Sequence, residues 1–414
     1  MEFRERVRAR LDQVQDRLRA SVLKFEAEAS TDERAALAAM ARQAHEHAAD
    51  MRAPRHPELT WVLSALGRAD HLAESIADES IVKPDGSLIG IGKFEQLDPH
   101  WSLALIAYLE HRHDPVRFGD TPAAVELDRQ VRLAIAGDWG TGFWRGADTP
   151  AAKVAAQMQA CTPDWTIHLG DVYYAGTADE ERENLGLVWP RGRQGQLLLN
   201  SNHEMYSGGR PLFEGAMPQL APQQNRTSYW SAENQHWVVL GLDTAYHATD
   251  MFLIGDLGPN QGNPQLRWLE QLRGQIGERK LIVLSHHQPV DLTGEQTTKI
   301  YDQVTQALGR VPEFWYWGHF HNGVVYGRLP GAFKGRYIGH GAVPYGDASE
   351  LASSPAVAWY ETQNARDTEC EDRVLCGFLD LTLDGPELHE RLLGEDGTVR
   401  WSRGFSASGA EGPT

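Results

Sequence analysis

Leu133-Ala-Ile-Ala-Gly137 runs straight into Asp138-Trp139-Gly140, and that ending decides how the chain is read. A short apolar run closed by a turn residue is a strand signal. Four more runs end in the same way. Ile167-His-Leu-Gly170 ends in Asp171-Val172-Tyr173-Tyr174. Gln196-Leu-Leu-Leu199 ends in Asn200-Ser201-Asn202-His203-Glu204. Leu281-Ile-Val-Leu284 ends in Ser285-His286-His287-Gln288-Pro289, and Phe314-Trp-Tyr-Trp317 in Gly318-His319-Phe320-His321. Helical patterns over 150–161, 264–276 and 298–308 alternate with these strands and with a sixth at 237–242. Such alternation predicts an α/β sheet domain. Ligands bind outside the carboxyl ends of strands in open α/β sheets. Five strand ends carrying Asp, Asn and His toward one edge therefore mark a candidate site.

Outward from this core the texture changes. Residues 324–328, 336–340, 356–360, 375–381 and 387–393 read as strands without helices between them, so the sheet region ends in antiparallel pieces. Residues 406–414 are small and polar and are expected to be a disordered tail. Before about residue 126 the pattern is helical. Val7, Leu11, Val14, Leu18, Val22 and Phe25 form one apolar stripe, Ser30 and Glu33 suggest a capping box for a second helix to about Asp50, and a third runs over 57–76. A strand at 87–94 and a helix over 101–111 follow. The expected division is a helical region over 1–125 acting as cap or dimer contact, a catalytic-type domain over 126–405, and the tail.

Composition narrows the class. The 414 residues carry a formal charge of −18, which repels a phosphate backbone, so nucleic acid is not an expected partner. No run of 18 apolar residues occurs, so no membrane span is expected. The first residues, Met-Glu-Phe-Arg-Glu-Arg, lack a secretory core, and the expectation is a cytoplasmic protein. Only three cysteines occur, Cys161, Cys370 and Cys376, which argues against a disulfide framework. None lies in the five clusters, so a thiolate metal site is excluded there. Two hard cations about 3.5–4 Å apart need a bridging carboxylate with further oxygen and imidazole ligands, which is the mixture these strand ends supply. Gly137, Gly170 and Gly318 each precede a candidate ligand by one residue and permit sharp turns.

The order Gly137-Asp138, Gly170-Asp171 with Tyr174, Asn202-His203-Glu204, Val283 with His286, and Gly318-His319 with His321 resembles the calcineurin-like metallophosphoesterases, and within them the purple acid phosphatase branch. The resemblance covers roughly 131–340. It implies a central pair of β-sheets flanked by helices and two metal ions, with water or hydroxide attacking phosphorus. Asp171 would bridge the ions. Asp138, Tyr174 and His321 would complete the first ion's ligands, and Asn202, His286 and His319 the second's. His203 would contact the phosphate and protonate the leaving group. Iron is implied at the Tyr174 site, with iron, zinc or manganese beside it. Gly140 stands where most relatives have His, as in the purple branch, and Ser201 stands where Gly is usual. The branch's all-β N-terminal domain has no counterpart here.

Blander readings apply elsewhere. Asp243 ends another strand and is expected to be a turn or cap residue. His286 and His287 point to opposite faces of a continuing strand, so His287 is expected to be a hydrogen-bonded neighbour. The histidines at 45, 47, 56, 71, 100, 111 and 113 are expected to be solvated. Arg210, Tyr206 and His247 follow motif residues, and the sequence does not choose among them. The expected function is hydrolysis of phosphate monoesters on a small phosphorylated substrate. The alternatives are a phosphodiesterase acting on nucleotides or cyclic nucleotides and an inactive scaffold recruiting a partner through the N-terminal helices.

Overall fold

The computed structural model describes residues 17, 20–25, 27–31, 34, 81–82, 86–90, 92–95, 98–368, 370–407 and 411–412. Two short strands, β1 (Ile81–Val82) and β2 (Leu88–Ile89), pair antiparallel, and helix α1 (Ser102–His111) follows. Among the described residues, the strand expected over 87–94 is the two residues of β2. Two sheets then form the body. The first holds β4 (Gln130–Ala136), β5 (Trp165–His168), β6 (Gly195–Leu198), β14 (Gly377–Asp384), β15 (Glu387–Gly394), β16 (Val399–Phe405) and β17 (Glu411–Gly412), in the order β17-β16-β15-β14-β4-β5-β6. The second holds β3 (Ala123–Glu126), β7 (Trp230–Glu233), β8 (Trp237–Leu242), β9 (Lys280–Ser285), β10 (Phe314–Trp317), β11 (Gly323–Tyr326), β12 (Lys334–Ile338) and β13 (Val357–Tyr360), in the order β13-β11-β12-β10-β9-β8-β7-β3. The strands that end in the candidate ligands run parallel, β4 to β5 to β6 and β9 to β10. The strands expected over 375–381 and 387–393 are β14 and β15, which pair antiparallel, and β16 and β17 continue the antiparallel pairing beyond them.

The side-chain period of two sorts each strand between layers. Leu133 and Ile135 of β4, Ile167 of β5, Ile282 and Leu284 of β9 and Tyr316 of β10 meet between the sheets. Their alternates face outward. Ala134 and Ala136 meet Val154 and Met158 of helix α2 (Pro150–Ala160). Leu281, Val283, Trp315 and Trp317 meet Leu266 and Leu269 of α4 (Pro264–Ile276) and Val304 of α5 (Lys299–Leu308). Helices therefore flank a two-sheet sandwich, and strands buried on both faces read as continuous apolar runs. Burying one such Leu or Ile stabilises the fold by about 1.5–3 kcal/mol.

The helix ends follow local chemistry. Thr149 caps α2 by accepting from Ala152 N–H, with Pro150 at the first turn. Asn263 caps α4 by accepting from the N–H groups of Gln265 and Leu266. Gly309 closes α5 in the left-handed conformation, φ 68°.

Three expectations change. Ala123–Glu126 pairs with β7, so the sheet begins three residues before the expected boundary. Glu411–Gly412 pairs with β16 and Glu411 meets Lys334, so this part of the tail is a strand on an open sheet edge. His100 is half-buried with Nδ1 at 2.8 Å from Asp98, rather than solvated. Of the N-terminal stripe, Phe25 is buried and Val22 partly so, both packed with α1. Val7, Leu11, Val14 and Leu18, and the expected helices beyond Arg34 and over 57–76, lie outside the described residues, as do His45, His47, His56 and His71.

Candidate metal centre

Asp138, Asp171 and Asn202 follow β4, β5 and β6 of one sheet, and His286, His319 and His321 follow β9 and β10 of the other. All are buried. The turns that aim them are tight. Asp138, Asp171 and His319 hold left-handed backbones, with φ of 57°, 78° and 91°. Such conformations cost roughly 1–3 kcal/mol each and concentrate at functional sites. Gly318 permits a close approach, because a Cβ there would stand 2.5 Å from Asp138 Oδ2. Ser201 is extended, φ −140°, and caps helix α3 (Asn202–Tyr206) by accepting from His203 N–H. The position therefore needs no glycine.

Two groups of ligand atoms result. Asp138, Asp171 and His321 offer atoms within 4.8 Å of one another, and so do His286, His287 and His319. Asp171 faces both groups. Its Oδ1 lies 3.3 Å from His286 Nε2 and its Oδ2 2.9 Å from the Tyr173 hydroxyl. Asn202 Oδ1 lies 2.8 Å from His286 Nε2.

The tautomers follow from the outer contacts. His286 Nδ1 donates to the Leu169 carbonyl at 3.0 Å, which leaves a lone pair on Nε2. His319 Nε2 donates to the Leu253 carbonyl at 3.1 Å, which leaves a lone pair on Nδ1. Those two nitrogens face each other at 3.2 Å, with the Asn202 oxygen beside them. Three electron-pair donors converge, and neutral imidazoles in these tautomers put no proton between them. A cation resolves that convergence, and backbone carbonyls that fix the far nitrogen are the usual support of a metal-binding histidine. The donor set thus fits two ions, a harder oxygen-rich position and a nitrogen-rich one. His287 is different: Nδ1 lies 3.0 Å from Thr244 Oγ1 and Nε2 donates to the Phe252 carbonyl at 2.9 Å, so both ring nitrogens are engaged.

Tyrosine is where placement and spacing part. The Tyr173 hydroxyl lies 2.9 Å from Asp171 Oδ2, 3.1 Å from His321 Nε2 and 3.4 Å from Asp138 Oδ1. Tyr174, expected there, points away. Its hydroxyl donates to buried Asp98 Oδ2 at 2.5 Å, and its ring stacks on Phe94 with centroids 4.7 Å apart. The physical reason is a competing acceptor: Asp98 also takes the N–H groups of Phe94 and His100 and so gathers this segment onto Tyr174.

His203 Nδ1 donates to the Tyr174 carbonyl at 2.6 Å, which turns Nε2 toward Asp171 Oδ2, 3.9 Å away. Burial, then the Asp171 charge, push Glu204 up to about 7. Glu204 accepts from Val172 N–H at 3.0 Å and from the Ser201 hydroxyl, so it braces the Asp171 turn. Tyr206 is the residue of its trio that reaches the site, with its hydroxyl 3.3 Å from Asn202 Nδ2. Arg210 instead pairs with Glu214 and Asp114, and His247 packs on Phe118 and Tyr246. Asp243 accepts from the N–H groups of Ala245 and Tyr246 and from Asn200, a turn role.

A roof closes the centre. Trp101 sits with its ring 5.6 Å from Tyr173 and 6.0 Å from His203, and its indole N–H donates to the Glu95 carbonyl at 2.7 Å. Phe94, Met251 and Phe252 complete it, and Phe252 touches Tyr108 of α1. The sequence carried no signal for Trp101, Asp98 or the carbonyls of Phe252 and Leu253. For Tyr173 the signal was only its place beside Tyr174.

No family model and no curated protein matches the sequence. Among solved structures, similarity extends to GAP50, described as the anchor in the inner membrane complex of Plasmodium, at 12% identity and TM-score 0.47, over 66% of this chain and 87% of that one. PhoD is similar at 12% identity and TM-score 0.45, over 71% of each chain. A conserved uncharacterized protein of Streptococcus pneumoniae, described as a predicted phosphoesterase, is similar at 11% identity and TM-score 0.30, over 67% and 98%. Among the described residues no helix is long and apolar enough to cross a membrane.

Proposed function

We propose that the chain is a phosphoesterase that uses two metal ions to hydrolyse phosphate monoesters. The observation that carries this is the convergence of lone pairs from His286, His319 and Asn202 next to a carboxylate, Asp171, shared with a second acidic group. Such a donor set is costly to bury without cations. When bound, two such ions neutralise phosphoryl oxygens and lower the pKa of an attacking water.

The chain's own groups do the rest. Asp171 would hold both ions. Asp138, Tyr173 and His321 would complete one position, and Asn202, His286 and His319 the other. His203, with its Nδ1–H fixed on the Tyr174 carbonyl, holds a proton at Nε2 for the leaving oxygen. The apolar roof of Trp101 and Phe94 excludes bulk water. Iron at the Tyr173 position, with iron, zinc or manganese beside it, is part of the same reading.

The test joins metal analysis to a panel of chromogenic monoesters and diesters. Stoichiometric metal with monoester turnover is expected, and Asp171→Asn should lose both together. A fully loaded protein inert to the whole panel overturns the reading in favour of a scaffold. His203→Ala should keep the metals and lower kcat by about 10²–10⁴-fold, least for good leaving groups.

A further inference from the structure

A bridging carboxylate has to present its two oxygens in two directions. Asp171 Oδ1 lies 3.3 Å from His286 Nε2, on the side of Asn202 and His319, and Oδ2 lies 2.9 Å from the Tyr173 hydroxyl, on the side of Asp138 and His321. The terminal torsion of an aspartate is broad, so the side chain does not hold that plane by itself. Outside donors have to fix it. Tyr173 is one, but a phenol that becomes an ion's ligand gives up its proton and stops donating.

Ser201 is another, and it keeps its proton. Its hydroxyl lies 2.5 Å from Asp171 Oδ1 and accepts the N–H groups of Asp171 at 3.0 Å and His203 at 3.1 Å. Glu204 also lies within reach of the hydroxyl, so one proton faces two carboxylates. Glu204 takes the N–H groups of Val172 at 3.0 Å and Asp171 at 3.4 Å besides. Among the described residues no backbone N–H serves Asp171 Oδ1, so the proton stabilises more there. Ser201 comes this close because Gly170 is bare: a Cβ there would stand 2.6 Å from Ser201 Cβ. The serine is fully buried, so bulk water does not compete for the bond.

We propose that Ser201 is a positioning residue for Asp171, whose Oδ1 it holds toward the nitrogen-rich ion position. The proposal rests on the phosphoesterase reading and adds a residue to its machinery. It gives the serine a task beyond capping α3. A hydrogen bond to a ligating carboxylate orients it, and losing such a partner typically costs about 10–100-fold in metal affinity.

Zinc is titrated into the chelator-treated full chain against a competing fluorescent chelator, and visible spectra of the cobalt-loaded protein are recorded beside it. Ser201→Gly and Ser201→Ala should each weaken one of the two ions by about 10–100-fold, by the same factor in both, and should shift the cobalt bands. The two variants separate orientation from capping. A helix cap tolerates Gly far better than Ala, whereas both lack the hydroxyl that reaches Asp171. Weakened zinc in Ser201→Ala, with wild-type affinity and cobalt bands in Ser201→Gly, overturns the proposal in favour of a cap. Wild-type affinity in both also overturns it and leaves the phosphoesterase reading intact. Weakened zinc in both variants of a protein that hydrolyses no ester supports the proposal and sinks the phosphoesterase reading. A wild-type chain that takes up no zinc or cobalt sinks both.

Discussion

Tyr173 and Tyr174 show how a single residue can be misplaced by spacing and placed by packing. Counting three positions on from Asp171 selects Tyr174. Nothing local distinguishes the two phenols, because the acceptor that captures Tyr174, Asp98, lies 76 residues away in sequence. The candidate ligands Asp138, Asn202, His286, His319 and His321 were legible for the opposite reason: each lies within four residues of the end of an apolar run, so the strand itself brings it to the sheet edge. The two tyrosines can be separated by colour. A phenolate on ferric iron absorbs visible light, and an ordinary tyrosine, with a pKa of about 10, becomes a phenolate near neutrality only beside a strong positive charge. Iron-loaded Tyr173→Phe should be colourless. Tyr174→Phe should keep the colour. The reverse result in visible spectra would return the ligand role to Tyr174.

Elements that move or titrate give two further expectations. Phe94 and residues 98–111 cover the centre and are gathered by Asp98, which takes four hydrogen bonds including that of Tyr174. Asp98→Ala removes the shared acceptor and leaves Trp101 and Phe94 to hold the roof. Loss of bound metal to excess chelator should then be about tenfold faster, since the buried bonds removed are worth at least about 1.4 kcal/mol. An unchanged release rate would mean that the segment does not gate the centre. The second concerns His340, just after β12, whose ring is buried between Gly323 and Gly377. Burial lowers its pKa to about 4, against the smaller pull of Glu361 and Glu395. The folded pKa is depressed, so the unfolded chain takes up a proton first as pH falls. Stability is full above about 6.5 and is lost on going from about 6.5 to about 4, by about 3 kcal/mol. His340→Gln should flatten the urea-midpoint curve across that window while leaving neutral pH little changed in slope. A wild-type curve already flat there sets the idea aside.

At the scale of the whole molecule, the central strands were legible because they are buried on both faces, while the pairing of two sheets was implied only by the family resemblance. β8, β10 and α4 fall where the periodicity predicts, over 237–242, 314–317 and 264–276. The missed strands are those with mixed surroundings. β3 reads Ala-Ala-Val-Glu and alternates buried with exposed, and β16 is half-exposed along most of its length. β7, Trp-Ser-Ala-Glu, is buried by its neighbours rather than by its own apolarity. Their pairing is decided by the sheet already present. The polar clasp across the core was equally hidden: Arg336 and Tyr316 from one sheet both bond Glu390 of the other, at 2.9 and 2.6 Å. Partners 54 and 74 residues apart leave no periodic trace.

The ligands of each proposed ion come from both sheets, and they span the chain from Asp138 to His321. Bound ions are therefore rivets between two leaves of the protein. A rivet cannot be set until both plates are in position, so loading follows docking of the sheets rather than guiding it. Metal should leave the refolding rate unchanged and slow unfolding, which stopped-flow traces with and without zinc would separate. At a free concentration a thousandfold above the dissociation constant, one ion adds about 4 kcal/mol to the folded state. The lifetime of this protein would then be set by the metal supply around it, and a starved molecule would come apart along the seam between its leaves.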